Sequence, residues 1–174
     1  MDDLLARIRN VPDFPKKGIV FRDITTLLKD GQALRRAVEG LLRNYRGRGI
    51  EKVVGIESRG FILGGIIAHE LGAGFVPVRK PGRLPAPALR QEYSLEYGKD
   101  GVEIHKDAIT NGERVLIHDD LLATGGTALA AIRLVESLGG RIEGISFLIE
   151  LSFLSGRANL DHHEVFSLLK YHTE

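Results

Sequence analysis

Two adjacent carboxylates, Asp119 and Asp120, close an apolar run and lead at once into Leu121-Leu122-Ala123-Thr124-Gly125-Gly126-Thr127. The stretch from Ala123 to Thr127 sets closely spaced backbone N–H groups beside two hydroxyls, with little side-chain bulk. A helix predicted from Thr127 adds the positive end of its dipole, so the segment suits one phosphate group. Carboxylates next to such a seat would repel the anion unless they face hydroxyls or a metal carried by the ligand. A ribose 5-phosphate meets both conditions, with phosphate in the loop and its 2- and 3-hydroxyls donating to Asp119 and Asp120. The alternative is a plain glycine turn whose aspartates cap the next helix.

Positive charge lies elsewhere. Arg59, in Gly55-Ile56-Glu57-Ser58-Arg59-Gly60, follows a second apolar run and precedes a helix pattern. A guanidinium forks onto phosphate oxygens and suits a diphosphate leaving group; the alternative is a surface arginine beside a turn. The stretch 79–91 holds Arg79, Lys80, Arg83 and Arg90 with no acid, and is broken by Pro81, Gly82, Pro85 and Pro87. It is predicted as an exposed, mobile loop. Such a loop is either solvated surface or a lid that keeps water from an activated sugar. Phe21 offers a ring face on which a base could stack, with the backbone at Val20 and Arg22 reading the base edge; otherwise Phe21 anchors the N-terminal segment. His118 reads as a sheet residue without a role. His162 and His163 beside Asp161 diverge on a strand and make no metal site.

The elements that must carry these groups alternate. Asp30 opens a helix with apolar positions Leu34, Ala37, Val38, Leu41, Leu42 and Tyr45, stopped by Gly47. Strands are predicted at 52–56, 75–79, 114–118 and 142–149, with helices at 61–71 and 127–138 between them. This is an α/β pattern: a parallel sheet with helices on both faces and ligands beyond the carboxyl ends of its strands. The stretch 93–104 is predicted as a hairpin turning at Lys99-Asp100-Gly101. At 174 residues and 19.1 kDa the chain is one ordinary domain. Absence of cysteine excludes disulfides, thiolate metal sites and cysteine nucleophiles. Twenty-four Lys+Arg against 23 Asp+Glu gives a net charge of +1, so no global field draws nucleic acid or an anionic membrane. No apolar run is long enough to span a bilayer, and a cytoplasmic protein is expected. Neither the P-loop nor the dinucleotide glycine fingerprint is present.

The thirteen positions from Val115 to Thr127 closely resemble the phosphoribosyl-diphosphate motif of the type I phosphoribosyltransferases; His118 departs from it, standing where that family usually has an aliphatic residue. The resemblance implies a single domain over 1–174, with an N-terminal hood at about 1–30 and a flexible lid at about 79–105. It implies a 5-phosphate seat at Ala123, Thr124, Gly125, Gly126 and Thr127. Diphosphate contacts are implied at Ser58, Arg59, Arg79, Lys80 and Arg83, with a cis peptide between Glu57 and Ser58. Magnesium would be carried in by the diphosphate rather than held directly by the protein, and homodimers are typical. Gly18 to Ile24 and Glu92 to Gly98 are similar to the hood and second signatures of the adenine-using branch, and similarity extends to Glu150-Leu151 and Gly156-Arg157. That branch implies transfer of a 5-phosphoribosyl group to adenine, giving AMP and diphosphate in purine salvage. Val20, Phe21 and Arg22 would hold the base, and Glu96, Arg59, Asp119 and Asp120 would be catalytic, with Glu96 taking the base-side proton. Glu96 as a solvent-facing hairpin residue is the alternative. A xanthine or hypoxanthine/guanine enzyme would share the phosphate motif but lack this hood. A regulator sensing the sugar diphosphate would carry an added DNA-binding domain with a basic recognition helix, and none is read here.

Overall fold

The computed structural model describes residues 2–95 and 98–173. An N-terminal segment contains helix α1 (Asp2–Leu5), the antiparallel pair β1 (Arg9–Val11) and β2 (Phe21–Asp23), and helix α2 (Thr25–Leu28). There follow α3 (Gly31–Leu42), β3 (Lys52–Ile56), α4 (Gly60–Leu71), β4 (Gly74–Val78), the hairpin β5 (Ala88–Leu95) and β6 (Gly98–His105), β7 (Arg114–Leu122), α5 (Gly126–Ser137) and β8 (Arg141–Leu151). Two short 3-10 turns (Ser152–Leu154 and Gly156–Leu160) lead to β9 (Val165–Tyr171).

The central sheet has the order β4-β3-β7-β8-β9, and every neighbouring pair is parallel. Successive residues along its strands point to opposite faces, and both faces are covered. That is why the strands read as continuous apolar runs. Val53, Leu116 and Leu148 pack on one side with α3, α4 and the N-terminal segment, while Val54, Ile117 and Phe147 pack on the other with α5 and the β5–β6 hairpin. Asp30 caps α3, its carboxylate accepting from the N–H groups of Gln32 at 3.0 Å and Ala33 at 3.1 Å. Such a cap is worth about 1 kcal/mol. Burying one residue such as Leu41 is worth about 1.5–3 kcal/mol, so packing rather than capping holds this helix.

The alternation expected from sequence is present, with differences that have physical reasons. The helix opened by Asp30 ends at Leu42, not Tyr45; Tyr45 is still buried, because its ring lies against Gly144 and its hydroxyl donates to the Ile145 carbonyl at 3.4 Å. The hairpin does not turn at Lys99-Asp100-Gly101. Those residues pair along the ladder with Ser94, Tyr93 and Glu92, and the register closes at Leu95 and Gly98. Residues 88–91, expected in an irregular loop, belong to β5, so the proline-broken stretch is 79–87. The β7 strand continues through both aspartates to Leu122 instead of stopping before them. Among the described residues, no helix is long and apolar enough to cross a membrane.

His118 sits fully buried in the middle of β7, and its Nδ1 lies 2.8 Å from the Ser146 hydroxyl on β8. Its Nε2 has no partner. Burial pulls its pKa down from 6.5 to about 3, so the folded protein holds the ring neutral. The unfolded chain takes a proton near pH 6.5. The stability this provides is therefore complete above that value and is lost as pH falls toward about 3, at about 1.4 kcal/mol per pH unit. Urea unfolding at pH 7 and pH 5 should show His118→Val losing about 2 kcal/mol less than the wild type over that interval. Equal losses in the two proteins would remove His118 from acid destabilisation.

Candidate active site

After β3 the chain crosses to β4 on one side, and after β7 to β8 on the other, although β3 and β7 are neighbours. The crevice beyond their carboxyl ends is the switch point at which open parallel sheets bind ligands. The sequence puts Glu57-Ser58-Arg59 at one lip of that crevice and Asp119-Asp120 at the other. Gly60 lets the lips approach: a Cβ there would stand 2.8 Å from Asp119 Oδ1 and 3.0 Å from the His118 carbonyl oxygen.

The carboxylate pair is expensive to hold. Asp120 is buried at 4% exposure, and Asp119 is only partly exposed, its Oδ1 accepting the Asp120 N–H at 2.8 Å. Burial raises the Asp119 pKa well above the ordinary carboxylate value, and the neighbouring Asp120 charge adds to it. Burial raises Asp120 as well, opposed by Arg59. Arg59 Nε lies 2.8 Å from Asp120 Oδ2, an ion pair without hydrogen-bond alignment, and the buried Arg59 Nη1 has no partner. The same guanidinium lies 4.7 Å from the centroid of the Phe21 ring. One side chain thus joins the strand-end acid to the aromatic residue of the N-terminal segment. Phe21 is half-buried and meets Phe14 edge-on at 5.2 Å. The Arg22 side chain turns inward, its guanidinium 4.1 Å from the Tyr171 ring and its Nη1 donating to Asn10 at 2.6 Å, so it fastens the N-terminal segment to β9. Val20 is half-buried, immediately before β2.

The loop cations are gathered by acids. Glu57, whose side chain is 9% exposed, accepts from Arg79 at 3.2 and 3.3 Å, from Arg83 Nη1 at 3.0 Å and from the Lys80 N–H at 2.9 Å. Burial pushes Glu57 up, but these donors outweigh it and leave it below its usual value. Lys80 Nζ is ion-paired with Asp100 and donates to the Tyr93 hydroxyl at 3.0 Å, and Tyr93 donates to Asp100 at 3.0 Å. Burial lowers the Lys80 ammonium, and Asp100 with Tyr93 raises it by more. The Glu57–Ser58 peptide is cis. Arg59 is turned toward Asp120 and Phe21 instead of joining Arg79 and Arg83. Glu96 lies outside the described residues.

Ala123, Thr124, Gly125, Gly126 and Thr127 line a pocket of about 180 Å³ with Asp119, and α5 begins at Gly126. Thr124 and Thr127 bring hydroxyl-bearing residues to this lining, beside Asp119 and the N-terminus of α5. Sequence reading missed Glu57 and Asp100 as counter-ions. The available signal for Glu57 was an acid set two residues before Arg59 at the same strand end; Asp100 was absorbed into a supposed turn.

Holding two adjacent carboxylates buried in this crevice destabilises the fold. Their raised pKa values mean that this strain is relieved below pH 4 and grows as pH rises through the folded-state values. Asp119→Asn keeps the oxygen that accepts the Asp120 N–H and removes one charge. At pH 7.5 it should raise the melting midpoint of the ligand-free protein, by about 2–4 °C for each kcal/mol relieved. A lowered midpoint in differential scanning calorimetry would contradict this.

The family described as phosphoribosyl transferase domain matches residues 24–167. An adenine phosphoribosyltransferase of Solibacter usitatus is 59% identical over 171 residues, covering 98% of this chain and 99% of that protein. The crystal structure of adenine phosphoribosyltransferase from Rhodothermus marinus superposes with a TM-score of 0.95 at 57% identity, covering 98% of this chain and 97% of that one. The Saccharomyces cerevisiae enzyme, solved with an imino-altritol bisphosphate and adenine, gives 0.91 at 40% identity, with 97% of each chain covered. With the sheet order, the acid pair and the glycine loop in place, these likenesses show that the chain belongs to the adenine phosphoribosyltransferases, within the phosphoribosyl transferase domain family.

Proposed function

We propose that the protein transfers the 5-phosphoribosyl group from 5-phosphoribosyl 1-diphosphate to adenine, giving AMP and diphosphate. The observation that supports this reading is the Arg59 guanidinium, which lies against both Phe21 and Asp120 and so brings an aromatic ring beside a strand-end carboxylate. The 5-phosphate takes the loop Ala123 to Thr127. The ribose 2- and 3-hydroxyls donate to Asp119 and Asp120, whose negative charge favours the positive charge that grows on the ring in the transition state. Adenine stacks on Phe21, with backbone groups at Val20 and Arg22 on its amino edge; a 6-oxo purine would present the wrong donor pattern and leave buried groups unpaired.

Purine N9 attacks ribose C1 as the C1–O bond to diphosphate breaks, and N9 loses its proton to Glu96. Arg79, Lys80 and Arg83 leave Glu57 and Asp100 for the diphosphate, joined by Ser58 and Arg59. Orientation and fixed charge supply most of the rate. Magnesium carried by the diphosphate would add positive charge at the departing group, beside the cations of Arg59 and the loop. The protein would not hold that ion directly: the oxygens of Asp119 and Asp120 accept from the ribose hydroxyls, and their negative charge is compatible with a hard divalent ion bound to the ligand beside them. The protein acts as a homodimer in the cytoplasm, as its family resemblance suggests.

Incubation with magnesium, adenine and the sugar diphosphate should yield AMP, and guanine or xanthine should not compete. Phe21→Ala should raise KM for adenine roughly tenfold, as loss of a base–aromatic stack implies, with KM for the sugar diphosphate near wild type. Consumption of guanine in preference to adenine would reverse the assignment of the base.

A further inference from the structure

The phosphate loop is backed by a turn 30 residues further along the chain. Ser155 takes a left-handed conformation with φ 54° and delivers Gly156 directly onto the loop. A Cβ at Gly156 would stand 2.0 Å from the Ala123 carbonyl oxygen, and one at Gly125 would stand 2.6 Å from the Gly156 carbonyl oxygen. Both obstructing atoms are backbone, so neither can swing away. Three residues on, Asn159 Nδ2 donates to the Thr124 carbonyl at 2.8 Å.

In a planar trans peptide the C=O and N–H point in opposite directions. With the Ala123 and Thr124 carbonyls turned toward Gly156 and Asn159, the N–H groups of Thr124 and Gly125 are turned away from that wall, toward the pocket. The wall itself is fixed. Arg157 donates to Glu150 at 3.1 and 2.5 Å, to the Val165 carbonyl at 2.7 Å and to Ser167 at 3.3 Å, tying the turn to both β8 and β9.

We propose that Gly156 and Asn159 are positioning residues for the 5-phosphate: the turn at 155–160 sets which way two loop peptides face, and thereby aims their N–H groups at the anion. This rests on the reading of Ala123 to Thr127 as the 5-phosphate seat. Adenine, seated at Phe21, does not depend on it.

Asn159→Asp is nearly isosteric but turns a donor into an acceptor that faces a carbonyl. KM for 5-phosphoribosyl 1-diphosphate should rise roughly three- to tenfold, in keeping with the loss of one hydrogen bond, while kcat and KM for adenine stay within twofold of wild type. The Kd for ribose 5-phosphate, measured by calorimetry without catalysis, should rise by the same factor. Gly156→Ala should produce a larger rise, more than tenfold, in the same two constants. If Gly156→Ala fails to fold, Asn159→Asp decides the matter by itself. Unchanged ribose 5-phosphate binding in Asn159→Asp, or parallel loss in KM for both substrates, overturns the proposal. A wild-type protein that binds ribose 5-phosphate but makes no AMP would instead defeat the catalytic reading and leave the role of the turn intact.

Discussion

Two neighbouring carboxylates held at a crevice between parallel strands are the constraint around which the site is arranged. Left alone, Asp119 and Asp120 would shed charge by taking up a proton, as their raised pKa values show. Arg59 is the cation that offsets them, and its approach needs the β3–α4 connection to lie against β7. Gly60 permits that approach by having no side chain. Sheet register, helix start and site electrostatics are thus one requirement. In the proposed reaction the ribose hydroxyls donate to these oxygens and so relieve that repulsion.

Much of the frame was legible in the sequence because parallel strands buried on both faces leave a continuous apolar signature, and because helices begin and end at Asp30, Gly72 and Gly126. The phosphate loop was legible for a local reason: its chemistry lies in consecutive residues. The β9 strand was not assigned, although Val165 to Tyr171 is largely apolar, because no helix precedes it to complete the alternation. The hairpin turn was misplaced because Lys-Asp-Gly has turn composition, yet Asp100 is held in the ladder by its tie to Lys80 and Tyr93. Tertiary pairing overrode local propensity there.

The remaining omissions share a cause. The contacts of Glu57 with Arg79 and Arg83, of Arg59 with Phe21, and of Asn159 with Thr124 join segments 22 to 38 residues apart in the chain. No spacing rule reaches across those distances. Sequence identified which groups carry the charge; only the fold says which of them pair with one another.

That neutralisation bears on how a chain of net charge +1 can take a highly anionic substrate. Long-range attraction contributes little at such a charge, so affinity must arise from local exchange of partners. Arg79 and Arg83 are gathered around Glu57, and Lys80 around Asp100, so these cations are held in place by acids. Ordering them beforehand reduces the entropy lost on binding. On the proposed reading each contact to phosphate replaces an existing ion pair, and only the difference between the two favours the complex. Such a site takes its anion by substitution, phosphate oxygens replacing Glu57 and Asp100 as partners of cations that already stand close together.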